Sequence, residues 1–318
     1  MATTIVTRAP TRIDFGGGWT DVPPYCNEVG GFVCNVAISR YATVSLSHNG
    51  GAEPEPEYAT AGDHGIATAA ARRFRATDAR ITVKSDFPVG AGLGGSSAVG
   101  VATVAACAAL RGHYMNPTAI AELSREIEIG DLGIPGGRQD HYAAAYGGAL
   151  GLRFSATGVD VRSIALSAKV RAEIERRCII IYTGQSRVSG ETITAVMHAY
   201  DHREPRVLVS LERMRELAEE MADALARGNF DKLATLVSEQ WMHQRALHPA
   251  IPTPLIDDII ARAEGAGSIG AKALGASGGG CVLLMARNDR VDAVRRAVES
   301  LGEILPFTIA SDGVERCA

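Results

Sequence analysis

Glycine constrains this chain more than any other residue, because of where it falls. The sequence holds 35 glycines, gathered at Gly16-Gly17-Gly18, at residues 90–95, at Gly136-Gly137 with Gly147-Gly148, and at residues 275–280. A glycine cluster marks a turn or a close approach of backbone to something else. Four clusters in one chain predict several loops converging on one ligand.

The second cluster says which kind of ligand. PVGAGLGGSSAVG, residues 88–100, follows a segment that reads as a strand and opens one that reads as a helix. Glycines leave backbone N–H groups free to face an anion, and the helix N-terminus adds unpaired N–H groups and its dipole. Ser96 and Ser97 supply hydroxyls for a phosphate oxygen or a metal ion. A triphosphate needs this combination. Gly90, Gly92 and Gly95 also fit GxGxxG, but that pattern alone is weak. It lies far from the N-terminus and follows Pro88, and the chain twenty residues on reads Leu110-Arg111-Gly112, with no acid to hold a ribose. No GxxxxGK[ST] loop occurs anywhere.

Around the clusters the periodicity predicts strands at 32–46, 80–85, 178–182, 281–285 and 306–310. Helices are expected at 97–110 with a serine cap, 117–130 beginning near Asn116, 207–227, 230–247, from Thr253-Pro254, and after Asp289 as a cap. Helices and strands mix without regular βαβ alternation, so the fold class is α+β. SATGVD breaks the pattern between Phe154 and Lys169. The domains are expected at 1–160 and 161–318, with the active site between them. Residues 51–57, GAEPEPE, read as an exposed loop.

Charge narrows the partners. With 36 acidic and 32 basic residues the net charge is −4, so no basic stripe marks a nucleic-acid binder. The longest apolar stretch, residues 99–110, is too short to span a bilayer, and the first residues lack a signal-peptide core. A cytoplasmic protein is expected, and the state of assembly, homo-oligomer included, stays open. None of the six cysteines forms a CxxC pair, which points to a reducing compartment without a disulfide framework or structural zinc.

The run from Pro88 through Gly90, Gly92, Leu93, Gly94, Gly95, Ser96 and Ser97 to Ala98 resembles the phosphate-binding motif of the GHMP kinases. RAPTRIDFGGGWTD, residues 8–21, resembles that family's first motif, beside the phosphate acceptor. LGASGGGC, residues 274–281, resembles its third, with Ser277 where many members have glycine. GIPGGRQDHYAAAYGG, residues 133–148, and YTGQSRVS, residues 182–189, are similar to segments of the D-glycero-D-manno-heptose 7-phosphate kinases.

The resemblance implies a two-domain kinase using ATP and Mg²⁺ on the anomeric hydroxyl of a heptose 7-phosphate, giving the 1,7-bisphosphate. A free-sugar kinase of galactokinase or fucokinase type is the alternative. A nucleotide-binding module without catalysis and an NAD-dependent oxidoreductase are the readings from other classes. Asp140, after its glycine pair, takes the catalytic aspartate's place, and Arg12 the basic position beside it. Ser97 and Glu128 are the implied metal ligands, although Glu126 and Asp131 stand close to Glu128. Gly17, Gly18, Thr20 and Asp21 are expected at sugar hydroxyls, and Gly278 and Gly279 in the loop closing over the substrate. Arg187 and Lys272 are candidates for a phosphate already on the substrate.

Overall fold

The computed structural model describes residues 3–48, 60–185 and 189–317. Two antiparallel sheets organise them. The strands are β1 (Thr3–Gly16), β2 (Gly31–His48), β3 (Arg80–Ser85), β4 (Ala149–Ser155), β5 (Gly158–Ile164), β6 (Cys178–Tyr182), β7 (Ser268–Ala273), β8 (Cys281–Ala286), β9 (Glu303–Leu305) and β10 (Glu315–Cys317). The first sheet runs β10-β1-β2-β4-β5, with β3 also on β2, and the second runs β7-β8-β6-β9.

The long strand β2 explains the first sheet. Its first half pairs β4, its second half pairs β3, and β1 lies along its other edge. Pro10 would argue against a strand over residues 3–16, since proline cannot donate to a ladder. The β1–β2 register shifts between Pro10 and Thr11, and again between Asp14 and Gly16. Such irregularities re-aim side chains.

The helices are α1 (Tyr25–Glu28), α2 (Ala61–Arg73), α3 (Gly95–Leu110), α4 (Pro117–Arg125), α5 (Gln139–Tyr146), α6 (Ala168–Arg177), α7 (Ser189–Asp201), α8 (Pro205–Ala226), α9 (Phe230–Leu247), α10 (Pro254–Ala266) and α11 (Val291–Val298). Helices α2, α3 and α5 pack a core of small residues against the first sheet. Leu211, Met214, Leu217, Met221 and Leu225 of α8 recur at helical spacing and are fully buried. No helix among the described residues is long and apolar enough to cross a membrane.

Several expectations change. The helix expected at 117–130 ends as an α-helix at Arg125 and continues as a π-helical turn, Glu126–Asp131. Asn116 does cap it, accepting from Ala119 N–H. Helix α3 has no serine cap, because Gly94 holds the N-cap position in the left-handed region. Arg290, not Asp289, precedes α11, without a side-chain cap. Residues 306–310 form one isolated bridge, Ile38 to Ile309, rather than a strand. The final strand is β10, which returns to β1. The boundary expected at 160/161 falls inside β5, whose Gly158–Ile164 segment pairs wholly with β4. The loop expected at 51–57 lies outside the described residues.

Candidate active site

All four glycine clusters reach one cleft of about 680 Å³, the third through Gly136-Gly137 alone. The loop before α3 is pinned from both sheets. Arg12 N–H of β1 donates to Leu93 O at 3.0 Å, and Cys281 N–H of β8 donates to Ala91 O at 2.8 Å. Gly92 and Gly94 lie at φ of +73° and +77°, where a side chain is strained. A Cβ on Gly92 would lie 2.6 Å from Leu274 O, so glycine is what lets the second and third motifs touch. The first-turn N–H groups of α3, uncapped by any side chain, open beside this loop. Gly147-Gly148 belongs elsewhere: Gly148 N–H bonds Ala310 O, behind the cleft.

Arg12 and Asp140 form the centre. The guanidinium is 3 % exposed and bonds both carboxylate oxygens, Nε to Oδ1 at 2.7 Å and an Nη to Oδ2 at 2.9 Å, while its other Nη donates to Gly92 O at 2.7 Å. Burial works against this charge, but Asp140 and Asp14 hold the guanidinium above its ordinary value. Asp140 enters on the first turn of α5, and a Cβ on Gly94 would sit 3.0 Å from its carboxyl carbon. The acid therefore faces the phosphate loop. A carboxylate has roughly four lone-pair sites, so a bidentate guanidinium leaves room for a hydroxyl donor.

Asp21 anchors this turn from across the cleft. Its Oδ2 accepts the N–H of Arg138 at 2.7 Å and of Gln139 at 2.9 Å. Burial raises its carboxyl to about 6, against those N–H bonds.

Glu128 lies at the other end of the phosphate loop. Ser96 Oγ donates to its Oε1, and Ser97 Oγ to its Oε2 at 3.0 Å. His141 Nε2 stands 3.0 Å from the same Oε2, and its Nδ1 meets Ser124 Oγ at 3.0 Å. Burial disfavours this carboxylate, yet His141 and the two serines outweigh it and hold it below its ordinary range. The hard oxygen donors of Ser97 and Glu128 beside a phosphate loop fit Mg²⁺, which takes few protein ligands and fills its shell with phosphate oxygens and water. No group of three or more metal-binding side chains occurs among the described residues. Glu126 and Asp131 bond Arg73 on the outer face, which leaves Glu128 as the acid that points inward.

The other expected residues divide. Pro88, Gly90, Leu93, Gly95, Ser96, Gly18, Asp21 and Gly279 line the cleft. Ala98 is buried inside α3, and Gly278 donates to Ile251 O. Gly17 packs against Phe32 O, and Thr20 is fully buried with its hydroxyl on Gly17 O and Phe32 O. Gly17 and Thr20 shape the first motif from behind and are not among the residues lining the cleft. Lys272 is corrected too: it is 0 % exposed and its Nζ bonds Asp14 Oδ2 at 2.9 Å, so it faces no substrate phosphate. Arg187 lies outside the described residues. Asp14 and His141 escaped the sequence reading. The only signal for Asp14 was its place two residues after Arg12, on the same face of a strand.

Comparison with known proteins identifies the family. The model for the GHMP kinases N terminal domain matches residues 64–148 and that for the GHMP kinases C terminal matches 221–304, together more than half of the chain. A D-glycero-alpha-D-manno-heptose 7-phosphate kinase from Campylobacter jejuni is 24% identical over 98% of each chain. A bifunctional fucokinase/GDP-fucose pyrophosphorylase from Arabidopsis thaliana is 25% identical over 92% of this chain, which spans 31% of that longer protein. The crystal structure of a D-glycero-D-manno-heptose 1-phosphate kinase from Bacteroides thetaiotaomicron superposes with a TM-score of 0.78, at 24% identity over 99% of each chain. The chain belongs to the GHMP kinases and is an ATP-dependent enzyme of that family.

Proposed function

We propose that this kinase moves the γ-phosphoryl group of ATP to the anomeric hydroxyl of D-glycero-D-manno-heptose 7-phosphate, giving the 1,7-bisphosphate. The observation that carries the reading is the Arg12–Asp140 pair set against Gly94 of the phosphate loop. Phosphoryl transfer needs positioning and charge neutralisation more than covalent help from the protein. The loop N–H groups and the start of α3 hold the phosphates. Asp140 orients the attacking hydroxyl and takes its proton as the new O–P bond forms and the bond to the ADP oxygen breaks. Arg12 keeps Asp140 in place. Ser97 and Glu128 are proposed to hold Mg²⁺, which when bound neutralises charge on the phosphates.

The heptose assignment draws on the named relatives and on the segments at 133–148 and 182–189. Arg187 is the proposed contact for the 7-phosphate. One observation favours the free-sugar alternative: Arg12 is the single arginine or lysine among the described residues lining the cleft, and Asp140 occupies it. ATP turnover on heptose 7-phosphate, the unphosphorylated heptose, galactose and fucose decides between them. Heptose 7-phosphate is expected to give the highest kcat/KM, and Arg187→Ala to raise KM for that substrate alone by about ten- to a hundredfold, the worth of one charge-assisted contact. Preference for a free sugar in the wild-type enzyme would overturn the substrate. Asp140→Asn is expected to lower kcat about a hundredfold or more on whichever acceptor is used, and a near-normal kcat would remove Asp140 from the chemistry.

A further inference from the structure

Helix α5 brings a second polar side chain to the cleft beside Asp140, and the mechanism above does not use it. Gln139, the first residue of α5, lines the cleft and is 6 % exposed. Its backbone N–H is committed to Asp21 Oδ2. Its side-chain Oε1 is committed as well, accepting from Asn35 Nδ2 of β2 at 3.4 Å. Its Nε2 donates to no described residue, and it is not among the unpaired polar atoms sealed from the surface, as Trp19 Nε1 and Asp14 Oδ1 are. Gly18 keeps this nitrogen uncovered, since a Cβ there would lie 3.0 Å from it. Gly18 itself lines the cleft, so the room it leaves opens onto the cleft.

We propose that Gln139 is a substrate-binding residue that sets specificity for the phosphoryl acceptor: its Nε2 donates a hydrogen bond to an uncharged oxygen of the acceptor, a sugar hydroxyl or ring oxygen near the reacting hydroxyl. The inference rests on the kinase reading above and deepens it. The neighbouring side chains decide the chemistry. Asp14, Asp21 and Asp140 line the same cleft, and an ionised carboxylate only accepts. Arg12 turns its guanidinium to Asp140 and Gly92. A sugar hydroxyl finds acids here to donate to, but an oxygen that must receive a hydrogen needs a donor, and Gln139 supplies one. An anionic oxygen is the wrong occupant. Phosphate is held by cations or a helix N-terminus, and here it would meet a neutral amide among three carboxylates. The place of the oxygen follows from the chain. Consecutive Cα atoms lie about 3.8 Å apart, and Asp140 works at the reacting hydroxyl. The oxygen read by Gln139 therefore belongs to the reacting end of the acceptor, not to its far end.

The test removes the donor from the protein and the oxygen from the substrate. Gln139→Met keeps the length of the side chain and has no N–H to give. Steady-state kinetics compare it with the wild type on heptose 7-phosphate, galactose and fucose. For the sugar that the wild type uses, the comparison extends to analogues in which each uncharged oxygen except the reacting one is replaced in turn, by hydrogen or, in the ring, by CH₂. On the intact sugar Gln139→Met is expected to raise acceptor KM about tenfold while KM for ATP stays near wild type. The wild type is expected to lose about the same factor on one analogue, and the variant to lose little more there, because two deletions of one contact do not add. Gln139→Glu is the second variant. It still accepts from Asn35, but its ionised carboxylate has no hydrogen to donate, so the same rise in acceptor KM is expected. An unchanged acceptor KM in either folded variant, an equal rise in KM for ATP, or additive losses on every analogue would overturn the proposal and leave the side chain a support for Asn35. A wild type that prefers galactose or fucose removes the heptose assignment, and the cycle on that sugar still tests Gln139.

Discussion

Asp21 shows at the residue scale how burial sets chemistry. Its carboxyl sits near 6 rather than near 3.8, because burial penalises its charge more than the two N–H donors of α5 reward it. Between about pH 4 and pH 6 the folded protein thus holds a proton that the unfolded chain has released. Stability from this group is present below that window and is lost as pH rises through it. At about 1.4 kcal/mol per pH unit the loss is on the order of 2–3 kcal/mol. Asp21→Asn keeps an acceptor for both N–H groups and cannot titrate. Denaturant unfolding of both proteins at pH 4.5 and pH 7 should show the wild type losing stability relative to the variant by about that amount. A difference that does not change with pH would mean the carboxylate is charged throughout.

The elements divide by how local their causes are. Helices α3, α8 and α9 were legible because period and glycine punctuation are written in consecutive residues. Strand β1 was not, because Pro10 speaks against a strand and only the register shift beside it permits one. Strand β10 was hidden by its length of three residues, two of them charged. In the site, Arg12, Asp140, Ser97 and Glu128 could be read from motifs, whereas Asp14–Lys272 and Glu128–His141 join residues that only the fold brings together. The π-helical turn is the clearest case. It sends Glu126 and Asp131 out to Arg73 and Glu128 in to Ser97 and His141. His141 is fixed by Ser124 and orients Glu128, as outer partners orient metal ligands. Glu128→Gln should raise the Mg²⁺ concentration needed for half-maximal binding of a fluorescent ATP analogue. His141→Phe should raise it about tenfold, with His141→Gln recovering part of the loss. An unchanged Mg²⁺ midpoint in Glu128→Gln would place the metal elsewhere.

At the scale of the whole molecule the cleft is a seam. The phosphate loop bonds β1 of the first sheet through Leu93 and β8 of the second through Ala91, and Gly92 touches the chain leading into the third motif at Leu274. On the proposed function, nucleotide binding and the joining of the two sheets share the same few residues, and a change in the loop should register in both. Gly92→Ala tests this. Its Cβ would lie 2.6 Å from Leu274 O and 3.1 Å from the carbonyl carbon, and its φ of +73° adds strain. Left-handed strain costs about 1–2 kcal/mol, and the backbone clash adds to it. A fall in Tm of about 5 °C or more is expected, together with loss of the Tm increase that ATP gives the wild type. Gly136→Ala is the matched control: it also lines the cleft, but a Cβ there meets nothing within 4 Å and its φ is not positive. Its Tm should stay close to wild type, and ATP should still raise it. If Gly92→Ala keeps both its Tm and its response to ATP, the seam between the second and third motifs carries neither stability nor nucleotide binding. If Tm falls but the response to ATP survives, the contact with Leu274 joins the sheets without shaping the phosphate site.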